Sequence, residues 1–266
     1  MENLRILTRE IGALAEKTGL WIQKEQRSFQ PELEEEKDHN SLVSYVDKKA
    51  EEQLVEGLSK LLPDAGFITE EATVLNERKA LSWVIDPLDG TTNFIHGLPL
   101  FAVSIGLLDG DDLIAGVVYE AGQKELFSSW KGGGAWCNDE RIAVSKRKTV
   151  KEGLFATGFP YYDYGRMQAF QALLSDFFVG SRGLRRLGSA ATDLAWVACG
   201  RFEGFFEYGL SAWDVAGGAL LVQEAGGSVC DFEGGDDFLF GKTIISANEH
   251  VFNEFKSIIQ NRMGSR

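Results

Sequence analysis

Apolar residues recur along the start of the chain at the spacing of one face of an α-helix. Between Met1 and Gln26 they fall at Leu4, Leu7, Ile11, Leu14 and Ala15, among charged residues. Positions three and four apart lie on one side of a helix, so this spacing predicts an amphipathic helix. Asp47–Leu62 shows the same pattern and predicts a second helix, which Pro63 ends.

Short apolar runs bounded by turn residues follow and predict strands. They are Phe67–Thr69, Trp83–Asp86, Phe101–Leu108, Leu113–Tyr119 and Glu125–Trp130. Asp109–Asp112 joins the third run to the fourth as a tight hairpin turn.

From Gly153 onward, strand and helix patterns alternate. Strands are expected at Gly153–Thr157, Phe202–Glu207, Ser228–Cys230 and Thr243–Ser246, and helices at Arg166–Phe178, from Ser189, at Trp213–Ala225 and at Asn248–Gln260. The pattern predicts one domain, 1–266, with an α+β half at 1–148, an α/β half at 149–266, and sheets layered between helices.

Composition and charge narrow the class of protein. The 266 residues have an ordinary globular composition, and the formal net charge of −13 argues against a nucleic-acid or acidic-membrane binder. No run reaches the roughly 18 apolar residues of a membrane span. Three cysteines without metal spacing fit a reducing compartment, so a cytoplasmic protein is expected. The acidic stretch at 27–40 is expected to be mostly a solvated loop.

The most informative segment is residues 83–94, WVIDPLDGTTNF. A strand ends there on two carboxylates, Asp86 and Asp89, which are hard oxygen ligands suited to Mg²⁺. Gly90 and Thr91 follow at once and offer backbone N–H groups to a phosphate. The alternative is that Asp-Pro-Leu-Asp-Gly is only a good turn sequence.

Two further carboxylate sites favour the metal interpretation. Glu70 follows a predicted strand, and Asp214 begins a predicted helix, where capping alone also explains an Asp. Acidic residues repel a phosphate ester unless bound cations reverse the local charge. A carboxylate-rich pocket for an anion therefore requires metal.

At this point the chain resembles a known family. Residues 83–94, continuing through His96, Pro99 and Phe101, resemble the first signature of inositol monophosphatases, and residues 213–227, WDVAGGALLVQEAGG, are similar to their second. The resemblance extends from about residue 4 to about residue 258. Related phosphatases usually carry Lys or Arg after the shared Asp-Gly-Thr, whereas Thr92 here is the inositol-phosphatase form.

The resemblance implies an αβαβα sugar-phosphatase fold and two or three Mg²⁺ ions per site. Glu70, Asp86 and the Leu88 carbonyl would hold one ion, and Asp86, Asp89 and Asp214 would hold a second. Lys37, in the acidic loop, would lie near a third.

The family pattern also implies roles around the metals. Glu70 and Thr91 would activate a water, with Asp47 behind Thr91. Gly90 and Thr91 would bind the phosphate. The leaving alcohol would meet Asp89, Ser189, Ala190 and Glu207, although Glu207 could instead be an exposed residue at a strand end.

The expected activity is hydrolysis of a small polyol phosphate monoester, with myo-inositol 1-phosphate as the leading substrate. Fructose 1,6-bisphosphate, a 3′-phosphoadenosine nucleotide and histidinol phosphate are alternatives with the same chemistry. A different alternative is a regulatory protein of the same fold that binds a macromolecular partner. The family resemblance also implies a homodimer.

Overall fold

The computed structural model describes residues 2–29, 34–38, 41–159 and 164–264, without the side chains of 34–38 and 41–43. These residues form seven α-helices, a seven-stranded sheet, a five-stranded sheet and a two-stranded hairpin. The helices are α1 (Glu2–Gln26), α2 (Tyr45–Leu61), α3 (Thr91–Ile95), α4 (Met167–Gly180), α5 (Ala190–Ala198), α6 (Ala212–Glu224) and α7 (Phe252–Met263). A 3₁₀ turn spans Val150–Glu152.

The large sheet has its strands in chain order. They are β3 (Gly66–Thr69), β4 (Leu81–Asp89), β5 (Ala102–Asp109), β6 (Asp112–Glu120), β7 (Glu125–Trp130), β8 (Gly134–Cys137) and β9 (Glu140–Ile142). Only β3 and β4 pair in parallel; each later strand pairs antiparallel with the one before it. From β5 onward hairpin connections explain this order, since antiparallel neighbours need only short turns, whereas α3 lies between β4 and β5.

The small sheet has a mixed order, β11-β10-β12-β14-β13. Its strands are β10 (Leu154–Thr157), β11 (Gly183–Arg185), β12 (Gly204–Tyr208), β13 (Gly227–Cys230) and β14 (Thr243–Asn248). β10 pairs in parallel with both β11 and β12, and β14 lies antiparallel between β12 and β13.

Five layers result from the way these elements bury their apolar faces. α1 and α2 cover one face of the large sheet, α5 and α6 lie between the two sheets, and α4 and α7 cover the far face of the small sheet. On β4, Trp83 and Ile85 face α1 and α2 while Val84 faces the middle layer, as strand alternation requires. The αβαβα arrangement expected from the family resemblance is confirmed.

Small residues bring α6 close to the large sheet. A Cβ atom added at Gly217 would lie 2.8 Å from the Val117 carbonyl oxygen, and one at Gly218 would lie 2.5 Å from Leu194 Cβ on α5. A side chain at Gly217 would push α6 away from the large sheet, and one at Gly218 would push it away from α5. The second turn of α6 is thereby held against β5 and β6.

Several predicted elements need correction. Glu34–Asp38 is not a loop: it forms β1, which pairs antiparallel with β2 (Ser41–Ser44). Backbone pairing in a hairpin needs no apolar side chain, so the charge run misled the prediction. The side chain of Lys37 lies outside the described residues. The last helix begins at Phe252 rather than Asn248, because Asn248 ends β14 and its side chain accepts from the N–H groups of His250 and Val251.

Candidate active site

The end of β4 is bent so that both of its aspartates face one pocket. Asp86 pairs with Ser104 of β5 and Asp89 pairs with Ala102, so β4 has one extra residue in this interval. Such a bulge redirects side chains at a strand end. The N–H of Leu88 donates to Asp86 Oδ1 at 2.9 Å, which fixes the carboxylate within the bulge.

Gly90 turns the chain from β4 into α3. Its φ of +98° lies in the left-handed region, and a Cβ there would lie 3.1 Å from the Gly188 carbonyl oxygen and 3.2 Å from that of Leu100. Glycine is therefore required both by backbone conformation and by space. Thr91 is the first residue of α3.

Three carboxylates meet at this bend. One oxygen from each of Asp86, Asp89 and Asp214 lies within 4.8 Å of the other two. Asp86 is 1% exposed, and Asp89 and Asp214 are half-buried. The Ser211 N–H donates to Asp214 Oδ2 at 2.6 Å, so Asp214 caps α6. The same carboxylate also belongs to the cluster. The two interpretations of Asp214 are compatible.

Glu70 lies beside the cluster because of the strand register. Thr69, the last residue of β3, pairs with Ile85 in the parallel β3–β4 ladder, which brings the next residue of each strand, Glu70 and Asp86, side by side. The negative charge of Glu70 contributes to raising the pKa of Asp86. The structure thus brings Asp86, Asp89 and Asp214 together and places Glu70 near enough for its charge to act on Asp86.

Electrostatics in the cluster favour a bound cation. Burial first, then the charges of Glu70, Asp89 and Asp214, raises the pKa of Asp86 well above its usual range. Burial also raises the pKa of Asp89 to about 6 and, together with the charge of Asp89, that of Asp214 to about 8. Carboxylates that resist ionising near one another are stabilised by a divalent cation, for which they are suitable hard ligands.

Asp47 and Thr91 form a second contact group at the pocket. Thr91 Oγ1 lies 2.9 Å from Asp47 Oδ1 and 3.0 Å from the Leu88 carbonyl oxygen. Asp47 Oδ2 accepts from the N–H and the hydroxyl of Ser44, at 2.8 and 2.6 Å. Burial raises the pKa of Asp47, and these hydrogen bonds oppose the rise. The Thr91 hydroxyl has one hydrogen, so its lone pairs stay available as acceptors.

Asp89 joins the cluster to the N-terminus of α5. Its Oδ2 accepts from Ser189 Oγ and from the Ala191 N–H, both at 2.7 Å. Ser189 is the N-cap of α5, as predicted from the sequence. Ala190, the first residue of this helix, is 7% exposed.

Glu207 is buried rather than exposed at its strand end. It is 7% exposed on β12, and its carboxylate packs against Gly158, where an added Cβ would lie about 2 Å from it. Burial, followed by the charge of Asp89, raises the pKa of Glu207 to about 8, although Arg186 opposes this. The interpretation of Glu207 as an exposed surface residue is wrong.

Two residues of this region, Asp193 and Arg186, were not predicted from the sequence. Asp193 is 1% exposed on α5, and its Oδ1 has no hydrogen-bond partner among the described residues. Its pKa is raised by burial and by Glu207 and Asp89, and lowered by Arg186, whose guanidinium lies 5.6 Å from the centre of the Phe159 ring. Asp193 follows Ser189 by four residues, and this helical spacing was the one available signal.

Comparison with known proteins agrees with this geometry. The family model described as "Inositol monophosphatase family" matches residues 4–262. The inositol-1-monophosphatase of Mesorhizobium japonicum is 43% identical over 84% of this chain and 85% of its own length. The Nus factor SuhB of Pasteurella multocida is 41% identical over 84% of each chain. The crystal structure of extragenic suppressor protein suhB from Bartonella henselae superposes with a TM-score of 0.89 at 38% identity, covering 96% of this chain and 98% of that one.

Proposed function

This chain belongs to the inositol monophosphatase family, a family of phosphatases, and from that premise we propose a Mg²⁺-dependent hydrolase of small polyol phosphate monoesters. We take myo-inositol 1-phosphate as the leading substrate, because a relative at 43% identity is named for that activity. The observation that carries the proposal is the convergence of Asp86, Asp89 and Asp214, whose oxygens lie within 4.8 Å of one another.

The donor set suits Mg²⁺. Every residue that would hold the two or three ions offers an oxygen: the carboxylates of Glu70, Asp86, Asp89 and Asp214 and the Leu88 carbonyl. When bound, the ions would lower the pKa of the attacking water and stabilise charge on the leaving oxygen. No thiol or imidazole belongs to this set, which favours Mg²⁺ over a softer metal.

The side chains of the site have distinct proposed tasks. Glu70 accepts a proton from the attacking water, and Thr91 orients that water through a hydroxyl held by Asp47. The N–H groups of Gly90 and Thr91 receive phosphate oxygens at the start of α3.

The leaving alcohol lies between the cluster and α5 in this proposal. Asp89, Ser189, Ala190 and Glu207 line that side, and Glu207 accepts hydrogen bonds from vicinal hydroxyls. A buried carboxylate favours a polyol because an analogue without hydroxyls leaves it unpaired.

The test is a substrate panel assayed with and without Mg²⁺, ranked by kcat/KM. We expect an inositol monophosphate to rank above fructose 1,6-bisphosphate, a 3′-phosphoadenosine nucleotide and histidinol phosphate. Asp86→Asn should lower kcat by at least about 10³, since the proposal has it ordering both ions. Asp236→Asn, in an exposed loop, is the matched control. A nucleotide at the top of the panel would refute the polyol proposal.

A second function is favoured by the relatives named Nus factor SuhB. We propose as the alternative that this chain also binds a macromolecular partner, a protein rather than a nucleic acid given the net charge of −13. An Asp86→Asn protein that is inactive on every substrate yet fully supports growth in a deletion strain would favour this role. Loss of both together would favour catalysis.

Quaternary structure and location are also proposals. We propose a homodimer from the family resemblance and a cytoplasmic location from the three cysteines without metal spacing. Light scattering and cell fractionation test them. Among the described residues, no helix combines the length and hydropathy needed to cross a bilayer.

A further inference from the structure

A carboxylate outside the pocket holds the segment that carries Glu70. Glu51 on α2 is fully buried, and it accepts four hydrogen bonds from the residues that flank Glu70. Its Oε2 accepts from the Glu71 N–H at 2.7 Å. Its Oε1 accepts from the N–H and the hydroxyl of Thr73, both at 2.7 Å, and from the hydroxyl of Thr69 at 3.0 Å.

These contacts enclose a backbone conformation that the chain does not favour by itself. Ala72, between Glu71 and Thr73, has a φ of +51°, in the left-handed region that residues with a Cβ seldom adopt. Such a conformation persists only where surrounding contacts hold it. Glu51 supplies these contacts, since it binds the N–H groups on both sides of Ala72.

Glu51 lies one helical turn after Asp47, so both project from the same buried face of α2. Asp47 contacts the Thr91 hydroxyl, and Glu51 holds the chain immediately before and after Glu70. One helix therefore contacts Thr91 directly and the residues on both sides of Glu70. Glu70 follows the end of β3 and Thr91 follows the end of β4, and α2 contacts the chain at both places.

We propose that Glu51 is a positioning residue that sets the placement of Glu70 relative to Thr91. This inference rests on the proposed function, because it assigns Glu51 to the activation of water by those two residues. Glu51 touches neither substrate nor metal in this proposal. It acts through the backbone of residues 69–73.

Glu51→Gln is the sharpest test, because it keeps the shape of the side chain. The amide nitrogen of Gln is a hydrogen-bond donor, so it cannot accept a hydrogen bond from the backbone N–H group, of Glu71 or of Thr73, that it would face. Glu52→Gln is the matched control: it makes the same chemical change at the next residue, which is exposed. Thr73→Val removes one hydroxyl donor and leaves the Glu51 carboxylate in place.

The first measurement needs no activity and no metal. Amide hydrogen exchange in Glu51→Gln should accelerate about tenfold or more at Glu71 and Thr73, with exchange in β5 unchanged, because local opening is separate from global unfolding. Thr73→Val should show the same pattern to a smaller extent, and Glu52→Gln should match the parent protein. Unchanged exchange at these amides, or equal acceleration throughout the chain, would overturn the proposal.

The second measurement is kinetic. Residues that orient metal ligands typically change activity by about 10–100-fold. Glu51→Gln should therefore lower kcat by about that factor and raise the Mg²⁺ concentration needed for half-maximal rate, while KM stays within about twofold. A raised KM with unchanged kcat would contradict a role at Glu70. If the parent protein hydrolyses nothing in the panel, the proposed function fails, and the exchange experiment still decides whether Glu51 holds the segment.

Discussion

Replacing Gly90 by alanine tests whether the turn after β4 sets the geometry of the site. Alanine at a φ of +98° carries the left-handed penalty, about 1–2 kcal/mol. Its Cβ would also lie 3.1 and 3.2 Å from the carbonyl oxygens of Gly188 and Leu100, close enough that both must move by a few tenths of an ångström. We expect the free energy of unfolding to fall by about 2–3 kcal/mol in total, because the strained backbone and the displaced carbonyl groups both destabilise the folded state.

The same displacement should reduce activity. Gly188 precedes Ser189, which donates to Asp89, so the movement reaches both sides of the pocket. A misplacement of 1 Å can cost about 10²-fold in rate, and a few tenths should cost about tenfold in kcat/KM. Thermal unfolding followed by calorimetry, with kinetics below the transition, measures both effects. The melting temperature should fall by roughly 2–4 °C for each kcal/mol lost.

Gly97→Ala is the matched control at the other end of α3. Its φ is +71°, and an added Cβ would meet nothing within 4 Å. It should lose about 1–2 kcal/mol through the backbone alone and keep full activity. Equal kcat/KM for the two variants would refute the argument that the Gly90 turn positions the pocket.

Two further predictions concern charge at the site. Asp89, Glu207 and Asp214 have pKa values of about 6, 8 and 8 in the folded protein, above their values of 3.8, 4.5 and 3.8 in the unfolded chain. The folded state therefore holds more protons, so the free energy of unfolding of metal-free protein should fall as pH rises from about 4 to about 8. Added Mg²⁺ should oppose this fall. The apparent affinity of the protein for Mg²⁺ should rise by up to about tenfold for each unit of increasing pH and each proton that the ion displaces. If the stability of metal-free protein increased with pH, the burial assigned to these carboxyl groups would be contradicted. Above pH 8, where Glu207 is ionised, Glu207→Gln should raise KM for inositol 1-phosphate by roughly 10–100-fold, the value of a hydrogen bond to a charged group, with a smaller change in kcat. Methyl phosphate, which lacks vicinal hydroxyls, is the control substrate, and an equal loss on both substrates would exclude a role in polyol recognition.

Much of the fold could be predicted from hydrophobic periodicity. α1, β7 and the β5–β6 hairpin lie within a residue or two of their predicted bounds, because each buries a face whose spacing is local in sequence. β1 escaped prediction since its pairing with β2 depends on the backbone. β8, β9 and β11 are only three or four residues long and carry little periodicity.

For the site too, some features could be predicted from the sequence and others could not. The predicted carboxylates were found because β4 and α6 carry two specific signatures, and the structure brings them together. The burial of Glu207 and the contacts of Glu51 and Asp193 could not be predicted, since they arise from packing between elements distant along the chain. A polar residue in a helix or strand gives no local sign that tertiary structure encloses it.

The strand order of the small sheet has a consequence for synthesis. β14 lies between β12 and β13, although it is the last strand of the described chain to leave the ribosome. Until it is inserted, β12 and β13 have no common neighbour, and the layer bearing Glu207 is incomplete. A nascent chain can assemble its first sheet early, but the sheet that bears Glu207 is completed only after β14 has been synthesised, so the substrate side of the pocket forms later than the large sheet.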